Sequence, residues 1–169
     1  MIHVIVADDQ ALIRGALSAL IDLEDDMHVV AQAADGREAI AAVEAYTAEN
    51  SRGDQASKAA STLVVIMDVE MPVIDGISAA AALKERGANA RVLMVTTFGR
   101  PGYVQRALDA GAVGFIVKDA PAEQLLEAIR RTSQGLRTVD PALAVDALTK
   151  GQSPLSAREV EVLRAFESG

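Results

Sequence analysis

The chain has 169 residues, enough for one domain of ordinary size and a short extra segment. Half of the residues are hydrophobic but only 3% are aromatic, so the core is aliphatic; 16 basic against 24 acidic residues give a formal charge of -8, which argues against a nucleic-acid-binding surface within this stretch. Cysteine is absent, excluding disulfides and thiolate metal sites, no apolar run approaches the roughly 20 residues of a membrane span, and no signal-peptide pattern opens the chain, so the cytoplasm is the expected location.

Short apolar runs alternate with helical patterns. Ile2–Ala7 reads as a strand and ends in Asp8-Asp9. A helix follows over Gln10–Leu23, then a strand over His28–Ala33 and a helix over Arg37–Ala48. Thr47–Thr62 is polar, without apolar period, and longer than the usual connection of about 2–6 residues, so it is expected to be a solvent-exposed insertion, either irregular or a helix extension. The strand Leu63–Met67 runs into Asp68, with Glu70-Met71-Pro72 and Asp75-Gly76 behind it. Helix Ile77–Arg86, strand Arg91–Thr97, helix Tyr103–Ala110, strand Val113–Val117 and helix Glu123–Ser133 complete the alternation. Residues 136–154 have the Gly, Pro and Asp content of a linker. Beyond them, Ser156 and Glu159 form a capping-box pattern, and Val160, Leu163 and Phe166 recur at helical spacing.

This order predicts an α/β domain over 1–135, a doubly wound five-stranded parallel sheet of flavodoxin-like form with helices on both faces. Ligands of such sheets sit outside the carboxyl ends of the strands. Asp8, Asp9, Asp68, Thr96 and Lys118 all fall at those ends. Carboxylates crowded there repel one another, and a divalent cation with oxygen ligands relieves that repulsion. Strand-end carboxylates and a metal make a site suited to phosphoryl chemistry. His3 and His28 lack metal-ligand spacing and read as structural.

Asp8-Asp9, Asp68, Thr96 and Lys118, in this order and each at a strand end, resemble the marks of a receiver domain, and the chain is similar to bacterial response regulators of the NarL/LuxR family. The segment 96–103 and Leu23-Glu24-Asp25-Asp26-Met27 resemble the DesR-like subgroup, which is associated with control of membrane-lipid desaturation. Residues 155–169 resemble the first helix of a LuxR-type helix-turn-helix domain. The recognition helix lies outside the sequence, so a truncated chain is expected, with promoter DNA contacted only through the missing part.

The resemblance implies that Asp68 accepts a phosphoryl group from a sensor histidine kinase in a Mg²⁺-dependent reaction. Asp9, Asp68 and the Glu70 backbone carbonyl would ligate the metal directly and Asp8 through water. Lys118 would pair with Asp68 and then with a phosphoryl oxygen. Thr96 and Phe115 would form the switch pair, with Thr97 a weaker contact, and Glu70 and Phe98 would flank the phosphate path. Asp119 stands where many receivers carry a proline after a cis bond, and a trans Lys118–Asp119 peptide is expected. The output would be a homodimer through Ile13, Leu17, Ile21, Leu125, Leu126 and Ile129, controlling transcription and without enzymatic action on other substrates. Two further readings compete. A stand-alone receiver would serve as an interaction module or phosphate sink. A phosphatase of the haloacid-dehalogenase type wants an acid two residues after its nucleophile, where Gln10 follows Asp8, and a dinucleotide fold wants a G-x-G-x-x-G that the first strand lacks.

Overall fold

The computed structural model describes residues 1–51, 62–97 and 102–139. In chain order the elements are β1 (Ile2–Ala7), α1 (Ala11–Asp22), β2 (Met27–Ala33), α2 (Gly36–Ser51), β3 (Thr62–Asp68), α3 (Gly76–Glu85), β4 (Arg91–Thr96), α4 (Tyr103–Asp109), β5 (Gly114–Val117), α5 (Ala122–Ser133) and β6 (Thr138–Val139). The six strands form one parallel sheet in the order β2-β1-β3-β4-β5-β6. The order reverses at β1, so the crevice for a ligand opens between the ends of β1 and β3.

The strands are continuous apolar runs because both faces of a parallel sheet are covered. Side chains alternate between two cores. Val4, Val6, Val64, Ile66, Leu93, Val95 and Ile116 pack with Ile21 of α1 and Leu125, Leu126 and Ile129 of α5. Ile5, Ala7, Val65, Met67, Met94 and Phe115 pack on the other face with Val43 of α2, Leu83 of α3 and Ala107 of α4. His3 shares a 2.6 Å hydrogen bond between its Nδ1 and the Tyr46 hydroxyl, tying β1 to α2, so this histidine is structural. Among the described residues no helix is long and apolar enough to cross a membrane.

One expectation needs adjustment. The sheet has six strands, not five. Thr138–Val139, inside the stretch read as linker, pairs with Gly114–Phe115. A two-residue strand carries too little pattern to show in a sequence. In keeping with the helix-extension alternative, α2 continues through Ser51, while residues 52–61 lie outside the described residues. The residues expected to form a dimer face fall into two groups. Ile21, Leu125, Leu126 and Ile129 are buried beneath α1 and α5, and Ile13 and Leu17 are half-buried. The four buried residues form the stripe by which the two helices sit on the sheet, with Leu17 packed beside them, while Ile13 and Leu17 keep part of their surface exposed. The large apolar positions left outside are Leu12 in the first turn of α1 and Leu23 at its C-cap, 87% and 78% exposed, with Ala16 and Ala19 between them.

Candidate functional site

Asp68 closes β3, and its position is set from two sides. The next amide, that of Val69, donates to the Val95 carbonyl at 3.3 Å. The Val69 carbonyl in turn accepts from the Gly76 amide at 2.9 Å, folding the loop back so that α3 starts against the strand end. A Cβ on Gly76 would lie 2.0 Å from the Asp68 carbonyl oxygen, so only glycine fits there. Asp75 caps α3 by accepting from the Ser78 amide at 2.7 Å. Between them the loop is tight. Val73 has φ 70°, and the Ile74 amide donates to the Pro72 carbonyl at 2.8 Å, a three-residue turn that strains a β-branched side chain.

Asp8 is fixed as firmly. Its amide donates to the Ala33 carbonyl at 3.0 Å, its Oδ1 accepts from the Gln10 amide at 2.8 Å, and its carbonyl accepts from the Arg14 guanidinium at 2.7 Å. The remaining oxygen, Oδ2, lies 2.8 Å from Lys118 Nζ. Lys118 follows β5, and its amide donates to the Thr96 carbonyl at 2.7 Å. The same ammonium reaches Asp68 Oδ2 at 3.1 Å. Lys118 therefore bridges both carboxylates, whereas the sequence suggested only the pairing with Asp68.

The electrostatics follow from burial. Asp8, Asp68 and Thr96 are buried, while Asp9 is exposed. Desolvation pushes the Asp68 carboxyl up to about 6, against the opposing pull of Lys118 and with added repulsion from Asp8 and Asp9. Burial pulls Lys118 down, but the hydrogen bonds to Asp8 and Asp68 outweigh it and hold the ammonium above its ordinary value. One oxygen from each of Asp8, Asp9 and Asp68 lies within 4.8 Å of the others. Hard oxygen donors so close together, with one lysine among them, fit a small divalent cation.

A cavity of about 190 Å³ is lined by Asp9, Gln10, Asp68, Glu70, Thr96, Thr97 and Lys118. It brings together Asp9, Asp68, Thr96 and Lys118 of the strand-end residues that the sequence singled out, and Asp8 joins them through Lys118. Phe115 is fully buried in the core and does not line the cavity. Phe98 lies outside the described residues. The Lys118–Asp119 peptide is trans, as no cis bond occurs among the described residues. Sequence reading missed Arg14, which clamps the Asp8 carbonyl, because its role depends on the first turn of α1 folding back over the strand end. It also missed a hydrogen bond of 3.2 Å from the Tyr103 hydroxyl to Glu70, residues 33 positions apart with no local signal joining them.

Residues 4–130 match the family model of the response regulator receiver domain. The chain is 39% identical to the transcriptional regulatory protein DesR of Bacillus subtilis, over all of this chain and 76% of DesR. It is equally 39% identical to the transcriptional regulatory protein YvfU of the same organism, covering 77% of that protein. Among solved structures, it is similar to a two-component response regulator of the LuxR family from Aurantimonas sp. SI85-9A1, at 27% identity and a TM-score of 0.72, over 86% of this chain and 94% of that one.

Proposed function

The chain belongs to the response regulator receiver domain family, and we propose that it is the phosphoacceptor module of a LuxR-type transcriptional regulator, with Asp68 as the residue phosphorylated. The observation that carries this reading is the single cavity in which Asp9, Asp68, Thr96 and Lys118 meet, with Asp8 behind them on the lysine. The Asp68 carboxylate is the nucleophile. It forms a bond to phosphorus as the bond from phosphorus to the imidazole nitrogen of a sensor kinase phosphohistidine breaks. Lys118, already on both carboxylates, meets the negative charge of the phosphoryl oxygens without needing to be recruited.

Asp9, Asp68 and the Glu70 carbonyl would hold Mg²⁺, with Asp8 through water. When bound, the ion offsets the repulsion between the phosphoryl oxygens and the carboxylates. The Thr96 hydroxyl can donate to a phosphoryl oxygen, and Phe115, opposite Met94 in the neighbouring strand, would take up the space that this movement vacates. The output of this reading is self-association and, through a helix-turn-helix continuing from 155–169, control of promoter DNA. The 39% identity to DesR supports a transcriptional output. Along α1 and at its C-cap, exposed Leu12, Ala16, Ala19 and Leu23 form a face open to a second copy.

The test is intact mass after incubation with Mg²⁺ and a small acyl phosphate, with Asp68→Asn as the control. A single phosphoryl adduct that requires Mg²⁺ and is lost in the variant is expected. A folded wild-type protein that takes no adduct, or an adduct that survives Asp68→Asn, would overturn the assignment.

A further inference from the structure

Glu70 stands on a ridge between two spaces. On one side is the small cavity with Asp68 and Lys118. On the other is a groove of about 550 Å³, whose walls include Met71, Asp75, Tyr103 and Arg106. Glu70 lines both. The Tyr103 hydroxyl donates to Glu70 Oε1 at 3.2 Å from the groove side.

The two partners are unequal. Tyr103 is the first residue of α4, and its ring is half-buried against the core beneath that helix. The Arg106 guanidinium lies 5.9 Å from the ring centroid, on the next turn of the same helix. Glu70 is exposed, on a long and flexible side chain. The tyrosine is thus the fixed end, and the glutamate is the end that is held.

We propose that Tyr103 is a positioning residue that lengthens the life of the phosphorylated state by holding the Glu70 carboxylate on the groove side, away from the phosphoryl cavity. This inference rests on the assignment of Asp68 as phosphoacceptor. Loss of the phosphoryl group is attack by water: an oxygen–phosphorus bond forms, the bond from phosphorus to the Asp68 oxygen breaks, its electron pair returns to the carboxylate, inorganic phosphate leaves, and a proton passes to solvent. A carboxylate turned into the cavity accepts a hydrogen bond from that water and orients it in line with the breaking bond. Held by Tyr103, Glu70 does so less often. Because Tyr103 begins α4, the hydrogen bond also links the position of that helix to the stability of the signal.

The experiment follows intact mass against time for the whole chain, phosphorylated with an acyl phosphate and then freed of donor in the presence of Mg²⁺. Wild type, Tyr103→Phe, Glu70→Ala and the double variant are compared. Phenylalanine keeps the ring and its packing and removes only the donor. Tyr103→Phe is expected to shorten the half-life on the order of three- to tenfold, the change in population that loss of one ordinary, solvent-exposed hydrogen bond can produce. In the Glu70→Ala background the same substitution should have no effect, an outcome that a merely structural role for the tyrosine would not give. An unchanged or longer half-life in Tyr103→Phe, or the same shortening without Glu70, overturns the proposal while leaving the receiver assignment intact. Failure of the wild type to accept a phosphoryl group overturns both.

Discussion

Asp68→Asn should make the metal-free protein more stable at neutral pH, although it removes half of the bridge made by Lys118. The Asp68 side chain is buried, and desolvation raises its carboxyl from 3.8 to about 6. A carboxyl whose proton affinity is raised in the folded state contributes stability below the unfolded value, and that stability is lost as pH rises through the folded one. At about 1.4 kcal/mol per tenfold change in affinity, the rise converts to roughly 3 kcal/mol of folding free energy forgone at pH 8. Asparagine carries no charge to desolvate, and Lys118 keeps Asp8 at 2.8 Å. The free energy forgone is already net of the attraction to Lys118; burying an amide with incompletely matched hydrogen bonds offsets part of it, which leaves a net gain of about 1–2 kcal/mol. For a chain of this size that is a rise in melting temperature of about 2–8 °C. The assay is thermal or urea unfolding of both proteins in chelator between pH 8 and pH 4. The gain should be largest at pH 8, shrink through pH 6 and be gone near pH 4. Added Mg²⁺ should stabilise the wild type more than the variant, because it supplies the missing counter-charge. A variant no more stable than wild type at pH 8, or a gain that does not change with pH, would refute the reasoning.

Two further outcomes concern backbone and core. Gly76→Ala places a Cβ 2.0 Å from the Asp68 carbonyl oxygen, and both are backbone-fixed. It should lower stability by about 2 kcal/mol or more and also slow phosphorylation at Asp68, read by denaturant unfolding and adduct mass together. Thr132 is fully buried in α5, and its hydroxyl has no hydrogen-bond partner, alone among the buried side-chain polar atoms of the described residues. Thr132→Val replaces that hydroxyl by a methyl of similar volume and should stabilise by about 1 kcal/mol, measured as a rise in the urea midpoint at unchanged slope.

The site was more legible in sequence than the surface, for a physical reason. Asp8 and Asp68 each end a run of apolar residues long enough to be a buried strand, and an acid at that boundary stands out against its neighbours. Parallel topology then brings the strand ends together whatever the details of the helices. The α1 and α5 faces were harder. Both helices are apolar over a wide arc, α1 through its alanines, so composition does not say which part of the arc meets the sheet. Ile21, Leu125, Leu126 and Ile129 are the part that does, while Leu12 and Leu23 remain outside. The Lys118–Asp8 pair and the Tyr103–Glu70 hydrogen bond join residues far apart in the chain, and only the register of β1, β3, β4 and β5 decides them.

The two-residue strand β6 has a consequence out of proportion to its length. It lies along the outer side of β5, with Val139 opposite the buried Phe115. A chain cut at Gly135, where composition places the end of the domain, would leave that side of β5 with unpaired amides and carbonyls facing water. Exposed edges of this kind invite pairing with another chain. Trimming the linker for convenience would therefore create a sticky margin beside the core, and self-association seen in so shortened a protein would report the missing strand and not the signalling state.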